Sequence, residues 1–392
     1  MKKSLVAVLA LAALVGTVLT GCSKKEKAST FKVGVIYIGD ENEGYTEAHM
    51  KGVAEMKAAL GLTDAQVIEK KGIPESEKCY DAAIDLAEQG CNYIIGTSFG
   101  HESYLIQAAK EYPNIVFSHA TGYQAASSGL NNMHNFMPSI YQSRYVSGIV
   151  AGLKLNEMIS SGKITAKQAK IGYVGAFPYA EVVSGYTSFF LGVRSVCPSA
   201  TMEVRYTNSW ADMSLEKETA EALIASGCVL ISQHADTTRA PSACEAHGVP
   251  VVGYNVDMIA IAPNAALTSA ALNWGSFYVF SAKAVMNGEP FDVDWSKGYD
   301  ADAVLITAIN DKVATADAKE KTDAAIAAIK NGTLKVFDTN TFTVNGKKLE
   351  DLIAEGGDFA KYATLVTNGA FNEQNGFAAP AFDIRIDGIV EK

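Results

Sequence analysis

The chain has 392 residues, with 43 acidic against 33 basic side chains and a formal net charge of -10. That acidity, with no basic patch interleaved with aromatics, excludes nucleic acid as a natural partner. Its 6 cysteines include no CxxC pair, which argues against a disulfide framework or a zinc site, so those after Cys22 read as small buried apolar residues.

Lys2 and Lys3 precede an uncharged apolar run that ends in Leu19-Thr20-Gly21-Cys22. This is a basic n-region, an h-region too short for a lasting membrane span, and a small-residue cleavage site. The Leu-x-Gly-Cys ending is similar to a bacterial lipobox. It implies a signal peptide over 1–21, a lipid (palmitate) on Cys22, and a polar tether over 22–30. The remaining chain, roughly 370 residues after cleavage, is long enough for two lobes.

Phe31 to Leu60 reads as an apolar strand, the acidic loop Gly39-Asp40-Glu41-Asn42-Glu43-Gly44, and a helix with Val53, Met56 and Leu60 on one face. Glu75 to Gln89 predicts a helix stopped by Gly90, and Cys91 to Ile95 a buried strand. Then come the loop Gly96-Thr97-Ser98-Phe99-Gly100, a helix through Lys110, and a strand from Asn114 to Phe117 that ends in His119-Ala120-Thr121-Gly122. Strands and helices alternating at this spacing predict a parallel α/β sheet. Ile140 to Met158 reads as a long soluble helix, with Gly148 and Gly152 placed for close backbone approach and Arg144, Lys154 and Asn156 interrupting any membrane span.

After a polar stretch from Ser160 to Lys170 the chain restates itself. Ala169 to Val174 repeats Phe31 to Ile36, Gly185-Tyr186 with Gly192 repeats Gly44-Tyr45 with Gly52, and Gly227-Cys228 repeats Gly90-Cys91. An offset of roughly 140 residues marks a duplicated domain, since solenoid repeats are several times shorter. Two such lobes facing each other form a cleft, a favoured small-molecule site. Leu267 to Met286 is expected to be a helix returning to the first lobe. It is followed by a strand from Ala303 to Ile309, a helix from Asp317 to Lys330, an edge strand pair within Leu334 to Val344, and a surface element over 376–389. The expected division is 31–139 plus about 265–295 for one lobe, a connecting helix over 140–159, and about 160–262 plus about 300–392 for the other.

The loop Gly96 to Gly100 fits G-x-S-x-G, but no histidine follows His247 to serve Ser98 as a late triad base, so a serine hydrolase is the weaker alternative to a ligand-facing turn. The acidic loop after the first strand repels phosphate and suits a neutral ligand rich in donors. Carboxylates that accept from vicinal hydroxyls, with aromatic faces that stack a flat ring, are what a nucleoside needs. Asp40 and Asp257 supply the first and Tyr45 and Trp210 the second. His234, Asp236 and Asn255 end neighbouring strands of the second lobe, where they face the cleft or cap the following helices, and Trp274 either floors the pocket or packs in the core.

Gly39-Asp40, Gly44 to His49, His119 to Tyr123, Asn208-Ser209-Trp210 and Gly253 to Met258 together resemble the basic membrane protein family of lipoproteins, over essentially the whole mature chain. These are substrate-binding components of ABC importers with the two-lobed type I periplasmic-binding-protein fold, and several bind purine nucleosides. The resemblance implies no cofactor and no catalysis. It implies a monomer held at the outer face of the cell membrane by its lipid, serving an ABC permease. In the nucleoside-binding members two rings sandwich the base, and these fall on Tyr45 and Trp210. Thr46 and His49, Thr121, and Ser98 with Phe99 complete the expected ligand-facing set. An acidic ribose-holding position of those members falls on Asn255, and a lysine of theirs falls near Leu272, which leaves nucleoside and free base both open. A sensor of the same fold serving a signalling partner is the other binding alternative.

Overall fold

A computed structural model describes residues 30–373 and 376–392. The expected signal peptide, the Cys22 lipidation site and all but the last residue of the tether lie outside the described residues. The chain runs β1 (Val33–Ile36), α1 (Gly44–Leu60), β2 (Val67–Lys70), α2 (Glu77–Glu88), β3 (Tyr93–Gly96), α3 (Glu102–Glu111), β4 (Val116–Ala120), α4 (Ala125–Ser128) and β5 (Met133–Phe136). It continues through α5 (Ile140–Ser160), β6 (Lys170–Gly175), α6 (Ala180–Val196), β7 (Thr201–Tyr206), α7 (Met213–Ala225), β8 (Leu230–Gln233), α8 (Arg239–His247), β9 (Val251–Tyr254) and β10 (Ala266–Leu272). The last part holds α9 (Trp274–Asn287), β11 (Asp294–Trp295), β12 (Val304–Ile306), α10 (Ala318–Lys330), α11 (Leu349–Glu355), β13 (Val366–Thr367), β14 (Ala370–Phe371) and β15 (Ile389–Glu391).

A 6-stranded parallel sheet has the order β11-β5-β4-β3-β1-β2, and a 7-stranded sheet the order β12-β10-β9-β8-β6-β7-β15 with only β12 antiparallel. Five strands follow one scheme in both sheets: β2-β1-β3-β4-β5 against β7-β6-β8-β9-β10. The echo in the sequence is therefore an echo of topology. Central strands such as Val33–Ile36 and Leu230–Gln233 are buried along their whole length, as parallel strands covered by helices on both faces must be. Together these features give the two-lobed type I fold, each lobe a sheet flanked by helices.

α5 packs on α6 in the core of the second lobe, where Val146, Ile149 and Val150 meet Phe189, Phe190 and Val193. The glycines make this approach possible: a Cβ on Gly148 would lie 2.2 Å from the carbonyl oxygen of Phe189, and one on Gly192 2.0 Å from that of Tyr145. Cys79, Cys91, Cys197, Cys228 and Cys244 are buried free thiols. Burial pushes the Cys79 thiol up to about 12, so it stays protonated and inert.

Three segments depart from expectation. Residues 376–389, expected as a surface element, carry Ala378, Phe382, Ile384 and Ile386 into the core. Leu267 to Met286 is a strand followed by a helix: β10 pairs with β9 and β12 in the second sheet, and only from Trp274 does the chain return to pack α9 on α1. A short run buried along its whole length carries no period that separates a buried strand from a helix, and here pairing decides. Leu334 to Val344 forms no strand pair, only the isolated bridges Asp338 to Ala370 and Val344 to Lys347, because Asp338 turns the chain by accepting from the Asn340 backbone N–H at 2.9 Å.

Candidate ligand-binding site

Between the two sheets, at the carboxyl ends of their strands, lies a narrow cavity of about 30 Å³, the space left where the two lobes are drawn close together. The first lobe supplies Ile38, Glu43 and Tyr45 after β1, Ser98 and Phe99 after β3, and Thr121 after β4. The second supplies Glu181 after β6, Trp210 after β7, His234 and Asp236 after β8, and Tyr254 at the end of β9. Parallel sheets place ligands at this end because their loops converge there. Three non-glycine residues at these strand ends hold left-handed backbone: Thr121 (φ 65), Asn208 (φ 55) and Asn255 (φ 64). For a β-branched threonine that is strained, and such strain gathers where a site must be shaped.

Glu43 caps α1. Its carboxylate accepts from the Thr46 backbone N–H at 3.3 Å and from the Thr46 hydroxyl, while its other oxygen is buried without a partner. Burial pushes its carboxyl up to about 7. One residue into the helix, Tyr45 points its ring into the cavity wall and donates its hydroxyl to Thr97 O at 2.5 Å. The loop after β8 is fixed from both lobes. Asp236 N donates to Trp210 O at 2.9 Å, and Gly44 N donates across the cleft to Asp236 O at 3.1 Å. A Cβ on Gly44 would lie 3.0 Å from that oxygen, so glycine permits the lobes to meet here. From behind, buried Glu216 accepts from Thr237 N and from the Thr237 hydroxyl, the latter at 2.6 Å.

The electrostatics of the cavity are one-sided. Glu43, Glu181 and Asp236 face it, and burial holds the Asp236 carboxyl well above the usual carboxylate range. The opposing charge is Arg144, fully buried in α5, which donates to Gln233 O at 2.6 Å and lies 3.6 Å over the Tyr254 ring without touching the cavity. Burial, followed by Arg144, holds His234 below its usual range, so it is neutral, with its Nε2 3.3 Å from Glu181. Acidic side chains thus face the cavity without a basic one among them, and the walls are rings. Trp210 meets Phe177 edge to face at 5.0 Å.

Of the residues expected at the site, Tyr45, Ser98, Phe99, Thr121, Trp210, His234 and Asp236 are brought together. Asn255 stands one layer back and holds Asp236 through Nδ2 at 2.7 Å. Asp40 and Asp257 are exposed and stand outside the cavity, each spent on its own turn: Asp40 accepts from Asn42 N at 2.9 Å and Asp257 from Ile259 N at 2.8 Å. Thr46 serves the Glu43 cap. His49 stacks on Trp274 at 4.0 Å and bonds the Tyr278 hydroxyl at 2.5 Å, so both rings are packed between α1 and α9. Sequence reasoning missed Ile38, Glu43, Glu181, Tyr254 and the supporting Arg144. The signal for Glu43 was present, since an acid just before the helix is a natural cap pointing into the loop. For Ser98 the G-x-S-x-G reading fails on geometry: the hydroxyl donates to Glu75 at 2.7 Å rather than to an imidazole.

Comparison with known proteins follows the same line. Residues 25–339 match the family model Bmp, described as ABC transporter substrate-binding protein PnrA-like. A purine-binding protein of Brucella abortus (strain 2308) is 34% identical over 281 residues, covering 71% of this chain and 75% of the relative. A Haloferax volcanii protein provisionally named ABC transporter glucose-binding protein TsgA13 is 30% identical over 342 residues, covering 87% and 81%. Among solved structures, a solute-binding protein of an ABC transporter system from Aeropyrum pernix K1 superposes with a TM-score of 0.64 at 16% identity, covering 83% of this chain and 96% of that one.

Proposed function

Because the chain belongs to the Bmp family of PnrA-like ABC transporter substrate-binding proteins, whose work is solute binding rather than catalysis, we propose that it closes its lobes on a free purine base and presents it to a membrane permease. The observation that carries this reading is a ring-walled cavity faced by three acidic side chains, of which Glu43 keeps one buried oxygen unpartnered. Purines with exocyclic amino and ring N–H groups supply donors along their edges and a flat face for Trp210 and Tyr45. The carboxylates expected to hold a ribose diol, Asp40 and Asp257, lie outside the cavity and are spent on their own turns, which favours a free base over a nucleoside. Ligand contacts to both lobes drive the closure, and the protein does no covalent chemistry. The lipid on Cys22, the extracytoplasmic placement and a monomeric state complete the proposal.

Calorimetry and thermal shift against adenine, guanine, hypoxanthine, adenosine, glucose and amino acids test it. A response to amino-bearing bases that exceeds the response to adenosine is the expected result. Stabilisation by glucose or an amino acid with no purine response overturns the ligand while leaving the receptor class in place.

A further inference from the structure

Outward from the inner cavity the cleft widens into a second chamber of about 520 Å³, and the two share Phe99, Thr121 and Glu181. Its far wall is the C-terminal segment, held in place by hydrogen bonds: Ala379 N donates to Gly122 O at 3.1 Å, Ala378 N to Asp294 at 2.9 Å and Phe382 N to Glu373 at 2.8 Å. Aromatic rings run in series from the mouth inward. Tyr123 stacks with Phe99 at 6.1 Å, Phe99 with Tyr179 at 5.5 Å, Tyr179 with Phe177 at 5.0 Å, and Phe177 meets Trp210.

Despite these contacts Tyr123 and Tyr179 remain 49% and 43% exposed, and Leu365, Phe377 and Pro380 face them from the C-terminal wall. The charges at the mouth are spent on each other: Lys361 lies 3.0 Å from Asp383, whose other oxygen takes the Tyr362 hydroxyl. A sugar or phosphate extending from the base would therefore meet rings and paired ions, whereas an apolar extension would be removed from water.

We propose that this chamber is a second subsite, which takes an apolar or aromatic substituent carried by the ligand, so that the protein captures N-substituted purine bases. This rests on the purine reading of the inner cavity. The substituent lies between Tyr179 and the C-terminal wall while the base occupies the space beside Trp210.

The test is calorimetric titration of the whole chain with adenine, adenosine, 6-benzylaminopurine and 9-benzyladenine, the last two placing the same ring on opposite edges of the base. One benzyl derivative is expected to bind at least about tenfold more tightly than adenine, as burial of a phenyl ring predicts, and more tightly than adenosine. Tyr179→Ala, at a half-exposed position outside the inner cavity, is expected to erase that gain while adenine binding persists. Adenine binding with no gain from either benzyl derivative, or a gain that survives Tyr179→Ala, overturns the subsite alone. No binding by any purine overturns the base reading and the subsite together.

Discussion

The two copies of the strand–loop–helix unit begin alike and part at the helix start. In the first, α1 begins at Gly44, so Tyr45 stands at the open end of the helix and walls the cavity. In the second, α6 begins at Ala180, which carries the matching Gly185-Tyr186 more than a full turn into the helix. Tyr186 is then fully buried in the core and donates its hydroxyl to Glu391 at 2.5 Å. What both lobes keep is an acid at the helix start: Glu43 at the cap of one, Glu181 in the first turn of the other, where the helix dipole favours negative charge. The duplication thus preserved the position of the carboxylates and let the aromatic roles diverge.

The largest expected effect separates the paired tyrosines. Tyr186→Ala is expected to cost about 3–5 kcal/mol of stability in urea unfolding while the folded protein still binds the proposed base, whereas Tyr45→Ala is expected to remove a wall and most of that binding. The reverse pattern would break the comparison. Next, Gly192→Ala sets a methyl against the Tyr145 carbonyl oxygen and is expected to destabilise by about 1–3 kcal/mol. The matching Gly52→Ala meets Gly275 N at 2.8 Å rather than 2.0 Å and is expected to cost less. Equal losses would erase that asymmetry.

Trp210→Ala is expected to weaken base binding by about 1–3 kcal/mol, as for other base–aromatic stacks, with little change in the unfolding midpoint because the ring is half-buried. An unchanged affinity removes Trp210 from the site.

The smallest effect concerns the paired acids and pH. Burial lifts the Glu43 carboxyl from 4.5 to about 7, so its contribution to the stability of the empty protein is intact below pH 4.5 and is lost as pH rises through 7. Glu43→Gln is therefore expected to raise Tm relative to the unsubstituted chain more at pH 8 than at pH 5. N–H donors from the ligand favour the ionised carboxylate, so base affinity is expected to rise over the same window with release of protons. A flat difference in Tm would show that Glu43 is solvated.

Much of the fold was legible because parallel strands buried on both faces run apolar along their length, as Val33–Ile36 and Tyr93–Gly96 do. The close approach at Gly148 was legible for the same kind of reason, since only glycine leaves that space. β10 was not, because Ala266 to Leu272 has no period of its own and becomes a strand only by pairing with β9 and β12. At the site, rings and strand-end polar residues could be named from pattern. Which acid in Asp40 to Glu43 turns inward could not, because a cap and a local turn compete for the same residues.

The sequence by itself determined two duplicated α/β lobes, the end of the sheets proposed to hold a ligand, and Tyr45 and Trp210 as candidate stacking rings. Those follow from burial, spacing and side-chain chemistry, which are local. Only the tertiary structure decided that Asp40 and Asp257 face water while Glu43, Glu181 and Asp236 face the cavity, that His49 and Trp274 are packing, and that an aromatic chamber adjoins the inner cavity. Each depends on which residues from distant segments meet across the cleft.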